Sequence, residues 1–121
     1  MRAKGYEKAL KQLRSLCLAL PESSEVEAWG HPTFRAGKKM FAAFGGHDGT
    51  LTLGLKVGFE RQDQLLEDAR FFPTPYAAHQ GWVSLRLDDQ TDWDEVRGLL
   101  HEAYRQVALK RMLKALDASA E

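Results

Sequence analysis

The chain predicts an α+β domain: an antiparallel sheet with N- and C-terminal helices packed on one of its faces. Three observations carry that prediction. The two ends of the chain carry apolar residues at three- and four-residue steps, the middle carries apolar residues at every second position, and turn residues divide the middle into short runs. Strict alternation of apolar and polar residues belongs to a sheet covered on one side only, with an open second face.

The bulk properties bound the rest. A chain of 121 residues fits one domain, spanning 1–121, and is long enough to bury a core. Lys and Arg number 17 and so do Asp and Glu, so no net charge draws the whole molecule to nucleic acid. The charge is uneven: residues 1–61 hold ten basic and six acidic side chains, whereas 62–102 are acidic. The single cysteine, Cys17, excludes an internal disulfide and a cysteine-rich metal site. No apolar run approaches the ~18 residues a membrane span needs, and Lys4, Lys8, Lys11 and Arg14 interrupt any signal-peptide core. A cytoplasmic protein, without membrane association, is expected.

The first helix is expected from about Ala3 to Leu18. Tyr6, Ala9, Leu10, Leu13, Leu16, Cys17 and Leu20 form its apolar stripe, and the basic residues form a solvated face. Cys17 on that stripe reads as a buried, inert thiol. Pro21 ends the helix. Strands follow near Val26–Trp29, Thr33–Ala36 and Lys39–Phe44, separated by turns at Gly30-His31-Pro32 and Ala36-Gly37-Lys38. A loop of about five residues, Gly45 to Gly49, leads into the strand Thr50–Val57. There Leu51, Leu53, Leu55 and Val57 point one way, with Thr50, Thr52, Gly54 and Lys56 opposite.

Phe59–Phe72 reads as a helix with Leu65, Leu66 and Ala69 inward, and Pro73 and Pro75 then impose an extended path. Trp82–Leu87 repeats the alternation: Val83, Leu85 and Leu87 face the core, and Trp82, Ser84 and Arg86 the other side. The final helix starts at Thr91 or Asp92, with acids in its first turn. Its stripe runs from Val96 to Val107, and at Leu109 the register changes. Either the helix breaks near Lys110 and its end folds back onto the domain, or Leu109–Leu116 packs against a partner subunit as a homodimer contact.

Catalytic and metal-binding patterns are lacking. His31, His47, His79 and His101 pair with no second ligand at a metal-binding spacing, and neither a nucleophile elbow nor a phosphate loop is present. No cofactor is implied, and a non-enzymatic protein is expected. What remains is the second sheet face. Lys56 and Arg86 can each pair with phosphate or carboxylate, and Trp82 offers a stacking surface beside the bare Gly54. Tyr76 and His79 lie on the approach to the same edge. Each also has a plainer role: Trp82 as a cover for the sheet, Lys56 as a solvated side chain, His79 as a backbone cap.

Four segments carry a family resemblance: LPESSEVEAWGHPTFRAGKKMFAAF after the first helix, LTLGLKV in the middle strand, HQGWVSLRLDD after the prolines and LLHEAYRQVALKR in the last helix. Together they resemble the MmcQ/YjbR family of small bacterial proteins with a frataxin-like (CyaY-like) α+β fold. The family-like positions are Pro32, Phe34, Lys39, Phe41, Lys56, His79, Trp82 and Tyr104. The resemblance implies one such domain and a DNA-binding "double wing" arrangement without an established enzymatic activity. It brings no iron site, because that role needs an acidic first helix and this one is basic. Contact with DNA would then be weak backbone contact through Arg35, Lys38, Lys39, Lys56 and Arg86. The alternative is a small anionic ligand held beside Lys56, Tyr76, His79 and Trp82.

Overall fold

The computed structural model describes residues 4–47 and 49–119, apart from the side chain of His47. The first helix, α1 (Tyr6–Cys17), begins with its apolar stripe at Tyr6, after Gly5 turns the chain through a left-handed backbone with φ 83°; the expected start at Ala3 lies outside the described residues. Ala9, Leu10, Leu13 and Cys17 are its buried face. Cys17 is fully enclosed, and burial pushes its thiol well above the usual range. Arg14 donates to both carboxylate oxygens of Glu25 (2.7 and 2.9 Å), tying α1 to the first strand.

Six strands follow: β1 (Ser23–Ala28), β2 (His31–Ala36), β3 (Lys39–His47), β4 (Thr50–Lys56), β5 (Phe71–Pro73) and β6 (Trp82–Leu87). They form one antiparallel sheet in the order β1-β2-β3-β4-β6-β5. β1 covers Ser23–Ala28 rather than Val26–Trp29, which leaves Trp29 in the turn with φ 52°. The β3–β4 pairing runs to His47↔Thr50, so the connection is shorter than the expected five-residue loop. Asp48, part of that loop, lies outside the described residues.

The second helix, α2 (Phe59–Leu66), stops short of Phe72. Phe71–Pro73 is instead an edge strand paired with β6. A three-residue edge strand accommodates proline at its end, where no ladder donor is needed. Helix α3 (Trp93–Val107) is capped by Asp92, whose carboxylate accepts from the amides of Asp94 (3.0 Å) and Glu95 (3.3 Å). Thr91 instead accepts from the amide of Asp88.

The helical backbone breaks at Ala108, whose ψ is 145°, and α4 (Lys110–Ser119) turns back onto the domain. Met112 and Leu116 are thereby buried within the chain, while Leu109 remains 49% exposed. Of the Leu109–Leu116 stripe, Leu109 is exposed and Leu113 partly buried. Two polar ties hold this end: the Tyr104 hydroxyl donates to the Pro21 carbonyl (2.6 Å), and Arg111 donates to both oxygens of Glu22 (2.8 Å each). Gly37 completes the packing, since a Cβ there would lie 2.9 Å from Met112 Cε.

The register sorts the sheet into two faces. One carries Phe34, Ala42, Phe44, Leu53, Leu55, Val83 and Leu85 and forms the core with the helices. Val26, Thr33, Ala43, Gly54, Ser84 and Phe72 align strand by strand across the other. A bulge at the β2–β3 pairing shifts the register, so that adjacent Phe41 and Ala42 are both buried.

Candidate functional site

The open face is a trough. Its floor is the aligned strip of small residues from Thr33 through Ala43 and Gly54 to Ser84, which keeps the backbone surface low. Larger side chains rise around it: Trp29, His31 and Met40 on one side, Phe72, Tyr76, Trp82 and Arg86 on the other. The concavity, open to solvent on one side, holds about 970 Å³. Two glycines carry neighbouring rings. A Cβ on Gly45 would come within 3.1 Å of the His31 imidazole, and one on Gly54 within 3.6 Å of the Trp82 indole. Trp82 thus lies across its own face of the sheet and is only 7% exposed.

Trp29 and Tyr76 stand out at the rim. They are 90% and 99% exposed, and both have left-handed backbones, with φ 52° and 64°. Bulky residues rarely adopt that region, and such strain persists where surrounding structure holds it. The segment bearing Tyr76 is held in several places. The Thr74 and Ser84 hydroxyls are 2.8 Å apart, and buried Gln62 donates to the carbonyls of Ala78 (2.7 Å) and Trp82 (2.8 Å). Gly81 sits so close to Gly58 that a Cβ there would lie 3.0 Å from its Cα.

Of the residues singled out in the sequence, Tyr76, Trp82 and Arg86 line one concavity. Lys56 pairs with Trp82 in the β4–β6 register but does not line the trough, and neither does His79, which is exposed on the short 3-10 turn Ala78–Gln80. Arg35 lies opposite Met40, with its Nε buried and without a hydrogen-bond partner among the described residues. Lys38 and Lys39 are exposed at the β2–β3 turn. Arg86 donates to the Ala69 carbonyl (2.9 Å) and lies over the Phe72 ring at 4.5 Å, so its guanidinium is held in place.

Sequence reasoning missed Trp29 and His31 as walls because Gly30-His31-Pro32 registers only as a turn. The signal available was a large aromatic placed directly before that turn, where no core can enclose it. Among the described residues, the trough wall contains no carboxylate and no group of acidic or cysteine side chains able to hold a metal. No helix is long and apolar enough to cross a membrane, among the residues described.

These features define an α+β domain with a helix-covered sheet face and an open, aromatic-walled one. The YjbR family model matches residues 18–106, and the chain belongs to that family. A Deinococcus radiodurans protein with a DUF419 domain has a similar crystal structure: TM-score 0.70, 27% identity, covering 89% of this chain and 87% of that one. A Pseudomonas syringae protein shares the fold at TM-score 0.66 and 15% identity, over 79% of this chain and 96% of that one. No curated protein matches the chain.

Proposed function

We propose that this YjbR-family protein is a non-enzymatic, cytoplasmic binding module that takes a small planar anionic ligand in the open-face trough. The observation that carries the reading is the trough itself. Its volume of about 970 Å³ is of ligand size, its floor is low, and aromatic side chains wall it. Arg86 supplies positive charge, and no acidic side chain of the described wall opposes an anion. Trp82, buried across Gly54, adds an apolar wall beside which a ring packs.

The experiment is a titration of the full chain with aromatic acids and mononucleotides, followed by tryptophan fluorescence. Two of the three tryptophans, Trp29 and Trp82, border the trough. Saturable quenching that disappears in Ala43→Phe supports the reading; no saturable change with any probe rejects it.

A second reading, weak backbone contact with duplex DNA, is favoured by a different observation: Lys38 and Lys39 extend outside the trough beside Arg35. Affinity there would come from phosphate neutralisation and fall steeply with salt. Lys56→Ala with Arg86→Ala would abolish duplex binding, and Lys38→Ala with Lys39→Ala would weaken it while leaving small-ligand binding intact. Absence of binding at low salt, or binding indifferent to salt, dismisses the DNA reading.

A further inference from the structure

The walls of the trough differ along its length, and that difference bears on the ligand class. Along the central strip the hydroxyls are already used: Thr33 donates to the Val26 carbonyl, and Ser84 is bonded to Thr74. Beside Ala43 and Gly54, therefore, the floor offers mainly methyl and backbone C–H groups, with Met40 and Trp82 flanking it. One register step along, Gly45 pairs with Thr52 and Thr52 with Arg86, and His31 lies over Gly45. That second row runs from the imidazole over Gly45 through the Thr52 hydroxyl to Arg86, whose guanidinium lies on the β5 side, over Phe72 and bonded to the Ala69 carbonyl.

The charge count is small. Arg86 is the single permanently charged side chain in the described wall, and Lys56 and Arg35 do not line it. A polyanion would bring more charge than this wall can match, whereas a single anionic group matches the one guanidinium it carries. Building on the small-ligand reading above, we infer that the trough takes an amphipathic aromatic monoanion. Its single carboxylate is received by Arg86 on the β5 side of the trough, and its apolar ring system lies along Ala43 and Gly54 beside the Trp82 indole. Arg86 spends one N–H on Ala69 and stacks on Phe72, so it is positioned before the ligand arrives. Trp29 and Tyr76 stand at the rim, where their rings limit access of water to the apolar body.

Three probes test the inference on the full-length chain by calorimetric titration: 2-naphthoate, its neutral amide 2-naphthamide, and adenosine monophosphate as a dianion. Wild type is expected to bind 2-naphthoate about tenfold tighter than 2-naphthamide, the scale of one charge-assisted contact, and tighter than the nucleotide. Arg86→Gln is expected to remove the preference for naphthoate over naphthamide by lowering the naphthoate affinity about tenfold. Arg86→Lys, which keeps the charge, restores part of it and guards against a simple folding defect.

Equal affinity for naphthoate and naphthamide in wild type would overturn the inference, as would tighter binding of the nucleotide. So would a naphthoate preference that survives Arg86→Gln. Failure of every probe to bind is a separate outcome, because it removes the small-ligand reading itself and this inference with it.

Discussion

The two faces of one sheet have opposite occupants. Across the helix-covered face, Phe34, Phe44, Leu53, Leu55 and Leu85 are almost wholly enclosed by side chains from the helices. Across the open face the same strands present Thr33, Ala43, Thr52, Gly54 and Ser84, with Trp82 laid over Gly54 and other large residues standing around that floor. A half-covered antiparallel sheet ordinarily turns polar side chains to water. Here the uncovered side is concave, small-floored and aromatic-walled, and its two most exposed aromatics have strained backbones. The covered face holds most of the buried core. The open face departs from ordinary patterning at Trp29 and Tyr76, and such departures from local rules are expected at functional sites.

The contrast can be broken most forcefully from the covered side. Phe41 is fully buried and meets Tyr104 edge-on, with ring centroids 5.6 Å apart. Phe41→Ala should cost about 3–5 kcal/mol in urea unfolding. A loss below about 1 kcal/mol would mean that this face is less tightly packed than its burial indicates.

A sharper version uses two adjacent alanines. Ala42 is fully buried toward the helices, whereas Ala43 belongs to the open floor. Ala42→Phe should overpack the core and cost about 1–3 kcal/mol or more. Ala43→Phe should change stability by less than about 0.5 kcal/mol and abolish ligand binding. Equal destabilisation by both variants would erase the distinction between the faces.

The rim gives a smaller effect of the opposite sign. Trp29→Gly removes a 90% exposed ring from a left-handed position that glycine adopts freely. It should raise thermal stability by up to about 1 kcal/mol while weakening ligand binding. A marked fall in melting temperature would show that Trp29 is held for stability.

The smallest effect is a pH dependence away from the trough. Arg70 donates to Asp68 and to Glu95, linking the β5 edge to α3. Side-chain and backbone hydrogen bonds from Arg70 lower the Asp68 carboxyl to about 2. A lowered carboxylate contributes stability above its unfolded value of about 3.9 and loses it as pH falls toward the folded value. The gap between wild type and Asp68→Asn in urea midpoints should therefore be constant above about pH 5 and close between about pH 4 and 2. A gap that widens on acidification would contradict this assignment.

Much of this architecture is readable in the sequence because alternation and periodicity are local. Leu51-Leu53-Leu55 and Val83-Leu85-Leu87 place Gly54, Ser84, Trp82 and Arg86 together before any coordinate is known. The register change at Leu109 likewise marks the break at Ala108. Other features depend on contacts that no local pattern encodes. Phe71–Pro73 is a strand because β6 has a free edge to pair with, and a three-residue run after a helical pattern carries no period of its own. The bulge at Phe41 and Ala42 inverts the parity that assigns residues to faces, so Ala43 becomes floor only once the pairing is known. Trp29 and Tyr76 come from different connections, and only the folded sheet brings them to one rim.

The most direct measurement is side-chain methyl NMR of the full chain during a titration with 2-naphthoate. Thr33, Ala43 and Thr52 carry methyl groups on the open face; Ala42, Leu53, Leu55 and Val83 carry them toward the helices. Saturable shifts concentrated on the first group, with the second nearly still, are the predicted result. Shifts concentrated on the second group, or no saturable shift in either, would contradict the assignment of ligand binding to the open face.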